Sequence, residues 1–256
     1  MCGIAGIVNL SEEKVDPSDI EAMLSKIKHR GPDDEGLFIR DNIGLGHVRL
    51  SIIDLSSAGH QPMYSTDERY LIIFNGEIYN YLELRAELAD KYSFKSKTDT
   101  EVLLASYITW GEKCLSKFNG DFSFVIYDTY EKSIFGSRDR FGIKPFYYHI
   151  DRDKFIFASE IKAILPLLSE VQPNNKSIFE YLSFNRCDQS NETFFSSIFK
   201  LPHGHCFTIK DGKFKIKRWY HLAEQIQYPK PIGTEEYREQ LQKSIKLRLR
   251  SDVPIG

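Results

Sequence analysis

The sequence predicts an α/β (α+β) fold in which mostly antiparallel sheets are covered by helices. Three observations carry this. Aromatic-rich apolar runs of strand length alternate with helical patterns along the chain, as layered packing of sheets and helices requires. Several runs are joined by short turns, Asp211-Gly212 being the clearest two-residue hairpin signal. Residues 70–74 and 122–128 are apolar on both faces, which marks strands covered on each side.

The elements follow in order. Residues 4–10 read as a buried strand. Asp16 caps a helix whose first residue is Pro17, and Ile20, Met23, Leu24 and Ile27 form its apolar stripe. It stops at His29-Arg30-Gly31-Pro32-Asp33, where Gly and Pro punctuate. Strands at 36–40 and 43–50 follow, with Gly44 and Gly46 marking a bulge or a close backbone approach. Residues 55–69 read as a loop. The strand at 70–74 breaks into Asn75-Gly76-Glu77, and a helix spans 79–91. Thr98-Asp99-Thr100-Glu101 has the capping-box pattern ahead of an apolar helix. A short helix at 112–118 leads to strands at 122–128 and 133–137, a hairpin at 146–150 and 155–158, and short helices at 160–168 and 177–184. Strands at 206–210 and 213–217 flank the Asp211-Gly212 turn. Composition shifts after Trp219-Tyr220. A polar linker with Pro229 and Pro231 leads to a helix at 234–250 striped by Tyr237, Leu241, Ile245 and Leu249, read as the start of a second domain.

Bulk properties narrow the function. The 256 residues are 41% hydrophobic and 27% charged, an ordinary globular composition with room for one or two domains. A net charge of −2 and a pI near 6.4 argue against a nucleic-acid partner. No apolar run nears the roughly 18 residues of a membrane span. The apolar N-terminus lacks a basic leader and runs into Ser11-Glu12-Glu13-Lys14, so no secretory signal is read. Cys2, Cys114, Cys187 and Cys206 form no C-x-x-C pair, and the histidines show no ligand spacing. The expectation is therefore no metal site, no disulfide framework, no membrane partner and a cytoplasmic setting.

The chemistry centres on Met1-Cys2-Gly3-Ile4-Ala5-Gly6-Ile7. If Met1 is removed, Cys2 carries a nucleophilic thiol and a free α-amine whose pKa of about 7.7–8.0 suits a general base. An incidental cysteine ahead of a buried strand is the competing reading. Asn75-Gly76 could supply two oxyanion donors, or be a turn. Asp99 could bind a cation, or simply favour its helix N-terminus. Arg49 ends a strand, as many surface arginines do. Together, one cation and the two carboxylates Glu77 and Asp99 match an α-amino acid: the arginine for its carboxylate, ideally through a bidentate fork, and the carboxylates for its ammonium.

The stretches Cys2-Gly-Ile-Ala-Gly-Ile7, His29-Arg-Gly-Pro-Asp33, Gly46-His-Val-Arg-Leu-Ser-Ile-Ile-Asp54, Phe74-Asn-Gly-Glu-Ile-Tyr-Asn80, Thr98-Asp-Thr-Glu101, Asn119-Gly-Asp-Phe122 and Arg138-Asp-Arg-Phe-Gly-Ile-Lys-Pro-Phe-Tyr-Tyr148 resemble, in order and spacing, the glutamine-hydrolysing domain of class II glutamine amidotransferases, in the asparagine synthetase branch. The terminal Arg250-Ser-Asp-Val-Pro-Ile-Gly256 resembles the approach to that family's ATP loop. The resemblance implies a four-layer α/β/β/α N-terminal-nucleophile hydrolase sandwich with mostly antiparallel sheets. It implies Cys2 as nucleophile, Asn75 and Gly76 as oxyanion hole, Arg49 on the glutamine carboxylate, Glu77 and Asp99 on its amine, and backbone contacts from Ile53. His29 and Arg30 would support the nucleophile, and Arg138, Asp139 and Gly142 would be structural. Residues 1–218 would form the glutaminase domain, and 219–256 the linker and first helix of a synthetase domain truncated here. The glutaminase domain would need no cofactor. The missing synthetase domain would use ATP and magnesium to amidate aspartate, and a homodimer is compatible. Alternatives are a different carboxylate acceptor such as a sugar acid, another class II amidotransferase, or a non-catalytic scaffold.

Overall fold

The computed structural model describes residues 1–11, 13–226 and 231–254. Glu12, the linker's Pro229 and the terminal Ile255-Gly256 of the ATP-loop expectation lie outside the described residues. In chain order the elements are β1 (Gly3–Asn9), α1 (Pro17–Ile27), β2 (Asp34–Arg40), β3 (Ile43–Arg49), β4 (Met63–Tyr64), β5 (Tyr70–Ile78), α2 (Tyr81–Leu88), α3 (Asp99–Trp110), α4 (Cys114–Lys117), β6 (Gly120–Asp128), β7 (Ser133–Arg138), β8 (Tyr147–Ile150), β9 (Lys154–Ala158), α5 (Asn175–Phe184), β10 (Phe199–Lys200), β11 (His205–Lys210), β12 (Lys213–Arg218), α6 (Leu222–Gln225) and α7 (Thr234–Arg248). One sheet runs β10-β8-β9-β1-β3-β2 and the other β12-β11-β7-β6-β5-β4, with antiparallel pairing throughout.

The two sheets stack face to face. Ile4 and Leu45 of one meet Ile73, Val125 and Phe207 of the other in a shared core rich in phenylalanine. The first sheet's outer face is covered by the α1 stripe, Ile20, Met23, Leu24 and Ile27. A Cβ at Gly44 or Gly46 would press into Ile20 or Leu24, so the expected close approach is that of this helix to β3. The second sheet's outer face is covered by Val102 and Leu103 of α3 and Leu115 of α4. The order helix, sheet, sheet, helix is the four-layer α/β/β/α sandwich that the sequence led us to expect.

Several local expectations change. Asn75-Gly76-Glu77 is not a turn: β5 runs on to Ile78, in register with β6 through Asn75↔Ser123, Gly76↔Phe122 and Glu77↔Asp121. Long-range pairing overrides the local turn preference. Pro166 prevents one continuous helix over 160–168, and two single turns form instead, Ile161–Ala163 and Leu165–Leu167. The 55–69 loop contains β4, which caps the edge of its sheet. On α7 the striped residues Tyr237, Leu241, Ile245 and Leu249 are exposed. Asp211 and Gly212 both take positive φ, as the two-residue hairpin requires.

Behind the sheets a single carboxylate organises the 139–145 loop. Asp139 is fully buried and accepts backbone N–H bonds from Phe122, Phe141, Ile143 and Lys144 at 2.9–3.2 Å. Arg138 braces the same loop through the carbonyls of Gly142 and Lys144. Replacing Asp139 by alanine would strand four backbone donors, that of Phe122 buried and the other three part-buried. Asp139→Ala should lower the unfolding free energy by about 3 kcal/mol or more, read by denaturant titration, with Asp139→Asn recovering part of the loss.

Candidate active site

Cys2 stands one residue ahead of β1, an interior strand paired to β3 and β9 and buried along its whole length. Three contacts fix the residue. Arg30 Nε donates to the Cys2 carbonyl at 2.8 Å. Ser159 Oγ accepts the N–H of Ile4, two residues on, at 3.0 Å. The Leu50 N–H donates to the Cys2 sulfur at 3.4 Å. Arg30 is held by Glu160, its Nη1 2.9 Å from Oε1, and His29 Nε2 lies 2.9 Å from the same oxygen. Burial pushes the Glu160 carboxyl up, but bonds from Arg30, Lys162 and His29 outweigh it and hold the group at about 2. Arg30 therefore supports the nucleophile position directly. His29 sits one step further out, mostly exposed and away from the cavity.

Burial raises the Cys2 thiol, opposed by the Leu50 N–H and by neighbouring positive charge. The sulfur is therefore a thiol near neutral pH, and attack needs a base. The terminal ammonium at Met1 is shifted down, chiefly by burial. With Met1 in place the Cys2 nitrogen is a peptide nitrogen, which is not basic.

Cys2 opens onto a cavity of about 120 Å³ lined by Arg49, Leu50, Ile53, Asn75, Gly76, Glu77, Asp99 and Lys144 among others. That volume suits a small molecule rather than a polymer. Asn75 is buried, and its Nδ2 has no protein partner among the described residues. Gly76 supplies a second donor by strand alternation. The Phe74 N–H is taken by Gln61 Oε1 at 2.7 Å and the Ile78 N–H by Asp99 Oδ2 at 2.9 Å, both away from β6. Gly76, midway between them, points its N–H the same way, into the cavity. A Cβ here would collide with β6, lying 2.7 Å from the Phe122 Cα.

Arg49 is buried, not a surface charge. Its Nη1 donates to the Ser56 carbonyl at 2.9 Å, and its Nη2 to those of Asp54 and Ile53 at 2.5 and 3.4 Å. Gly59 lies against the guanidinium, where a Cβ would clash. Both Nη2 hydrogens are thus occupied, leaving Nε–H and one Nη1 hydrogen. These do not lie side by side, so the guanidinium as held here does not present an open bidentate fork.

Asp99 begins α3. Thr98 caps the helix by accepting the Glu101 N–H at 3.1 Å, while Glu101 folds back to the N–H groups of Ser96 and Lys95 at 2.6 and 2.8 Å. Burial, reinforced by Glu77, lifts Asp99 to about 7 despite the Ile78 N–H. Burial also raises Glu77, opposed by the Lys144 charge.

All the expected site residues except His29 and Arg30 line this cavity. Three supporting residues escaped the sequence reading. Gln61 ties Phe74 to Thr100, its Nε2 3.2 Å from the Thr100 hydroxyl. Glu160 anchors Arg30. Lys144 faces the cavity mouth from the Asp139-braced loop, inside a motif already noted for other residues.

Comparison with known proteins gives the family and the fold. The family model for the glutamine amidotransferase domain matches residues 1–220. Asparagine synthetase [glutamine-hydrolyzing] 1 of Bacillus subtilis is 39% identical over 100% of this chain and 41% of its own length. Amidase chry2 of Gibberella zeae is 33% identical over 100% of this chain and 40% of its own. The chain thus spans less than half the length of these relatives. Among solved structures, glutamine phosphoribosylpyrophosphate amidotransferase of B. subtilis superposes with a TM-score of 0.64 at 19% identity, over 86% of this chain and 49% of that one, a likeness of fold.

A native Asp99 near 7 binds a proton that the unfolded carboxyl, near 3.9, releases. Stability therefore falls as pH rises from about 4 to 7, and the full penalty stands above that range. Asp99→Asn should raise the melting temperature by several degrees at pH 8 and by clearly less at pH 5, measured by calorimetry at both.

Proposed function

The chain belongs to the glutamine amidotransferase domain family, and on that premise we propose that, with Met1 removed, it hydrolyses the side-chain amide of glutamine to glutamate and ammonia. The observation that carries this reading is the Cys2 thiol opening onto the same cavity as a buried, unpartnered Asn75 amide and the Gly76 N–H. Two donors aimed at one point beside a nucleophile are what a tetrahedral oxyanion needs.

The α-amine freed at Cys2 takes the thiol proton, and the thiolate attacks the amide carbon. Asn75 Nδ2 and the Gly76 N–H stabilise the oxyanion. The carbon–nitrogen bond breaks as the amine returns its proton to the departing ammonia, leaving a thioester. Water, deprotonated by the same amine, then releases glutamate and restores the thiol. Arg49 and the backbone near Ile53 hold the α-carboxylate, while Glu77 and Asp99 hold the α-ammonium. Bound ammonium favours ionised Asp99, so binding releases its proton below about pH 7.

In this reading residues 1–218 are the glutaminase unit, and the remainder leads toward a synthetase domain. Ammonia passes to that domain, which uses ATP and magnesium to convert aspartate to asparagine, following the name of the B. subtilis relative. Among the described residues no group of three or more His, Cys, Asp or Glu could hold a metal ion, and no step above is routed through one. The matched relatives are not all named asparagine synthetases, and delivery of the ammonia to a carboxylate other than aspartate is the second reading. The complete set of polar groups in the cavity favours an enzyme over a scaffold.

Cys2→Ala should abolish glutamate release, and protein retaining Met1 should be folded and equally inactive by the same assay. Asn75→Ala should lower kcat by about 10²–10³-fold, the usual loss of an oxyanion donor. Arg49→Ala should mainly raise the glutamine KM, because the carboxylate contact exists before the transition state, as steady-state kinetics would read.

A further inference from the structure

Arg250 and Asp252 reach back across the chain to the two elements that hold the cavity's charged groups. The Asp252 N–H donates to the Ile52 carbonyl at 2.9 Å, and the Asp54 N–H donates to Asp252 Oδ2 at 2.7 Å. These two bonds grip the turn whose carbonyls, at Ile53, Asp54 and Ser56, hold the Arg49 guanidinium. Asp54 takes a φ of 57°, a left-handed conformation uncommon outside glycine though more accessible to Asp than to most residues. Its side chain carries the restraint onward. Asp54 Oδ2 accepts the Lys97 N–H at 2.8 Å, directly ahead of the Thr98 cap and Asp99. Arg250 fastens the other side. Its two terminal nitrogens meet both Glu83 oxygens at 2.6 Å, and Nη1 also donates to the Tyr79 carbonyl, one residue beyond the Ile78 N–H that binds Asp99.

We propose that Asp252 is a positioning residue for glutamine binding, a latch that holds the Ile52–Ser56 turn and thereby sets both the Arg49 guanidinium and the start of α3. The inference rests on the glutaminase reading. Asp252 touches neither the cavity nor Cys2, so it acts on the grip for the α-carboxylate and α-ammonium rather than on the oxyanion. α7 ends two residues before Arg250, so a displacement of α7 reaches the substrate through this latch.

The test compares Asp252→Ala and Asp252→Asn with the parent protein, all with Met1 removed. Asp252→Ala should raise the glutamine KM about threefold to tenfold, the size of one ordinary hydrogen bond because the lost contact acts on the substrate only through the turn, with kcat within twofold. Asp252→Asn keeps an oxygen for the Asp54 N–H and should restore KM. Hydrogen exchange at the Asp54 and Lys97 amides should quicken in the alanine variant alone. A fall in kcat at unchanged KM, as a loss of folded protein would give, or a KM within twofold of the parent overturns the latch. A parent that releases no glutamate would overturn the glutaminase reading instead. The exchange rates would still decide whether Asp252 holds the turn: equal rates in all three proteins would refute that hold.

Discussion

The antiparallel pairing of β1 on both sides is the constraint from which the site follows. A strand in the middle of a sheet, with every residue buried, cannot slip by one position without turning its core face outward. Cys2 lies just before its first residue and inherits that fixed register. The Arg30–Glu160 pair and the Ser159 hydroxyl add restraint at the point where the strand leaves the core. In the proposed reading Cys2 would be the first residue of the mature chain, and first residues are ordinarily the least ordered. Here the disorder is suppressed by tethering the end on both sides and through its carbonyl.

The second sheet supplies the complementary half. β5 is paired to β6 on one edge, while at 74–78 its other edge is free of strands and presents three N–H groups in a row. Gln61 takes the first and Asp99 the third. The middle one and the adjacent Asn75 amide are left directed at the cavity, a configuration that is unfavourable for folding alone and useful only when an acceptor arrives. The stacking of the two sheets sets the distance between thiol and donors, so the large phenylalanine-rich core is itself part of the site's geometry.

Much of this was legible in the sequence, for a physical reason. Strand and helix periodicity, the Asp16-Pro17 helix start, the Asp211-Gly212 hairpin and the apolar face of α1 are local properties, and all reappear in the fold. The residues around the cavity could also be gathered by their chemistry and by family resemblance. What was not legible depends on partners far along the chain. Asn75-Gly76 has turn chemistry, and only pairing with Phe122 and Ser123 makes it strand. Arg49 gives no sign that three nearby carbonyls will occupy most of its donors. Glu160 looks like a surface charge until the fold brings it to Arg30, 130 residues away.

The charged groups illustrate how stability and binding pull apart. Asp99 is buried beside Glu77, and both carboxyls are shifted up by that burial. The nearest cations are otherwise engaged: the Arg49 Nη2 is fully occupied by backbone carbonyls, and Lys144 lies at the cavity mouth. In the proposed glutaminase reading, the ammonium of an incoming amino acid would relieve the desolvation and repulsion that these two carboxyls bear. The partial saturation of Arg49 follows the same logic with opposite sign. Carbonyls of the Ile53–Ser56 turn keep the guanidinium oriented and hydrogen-bonded, and in the proposed reading its remaining N–H groups would select for a carboxylate.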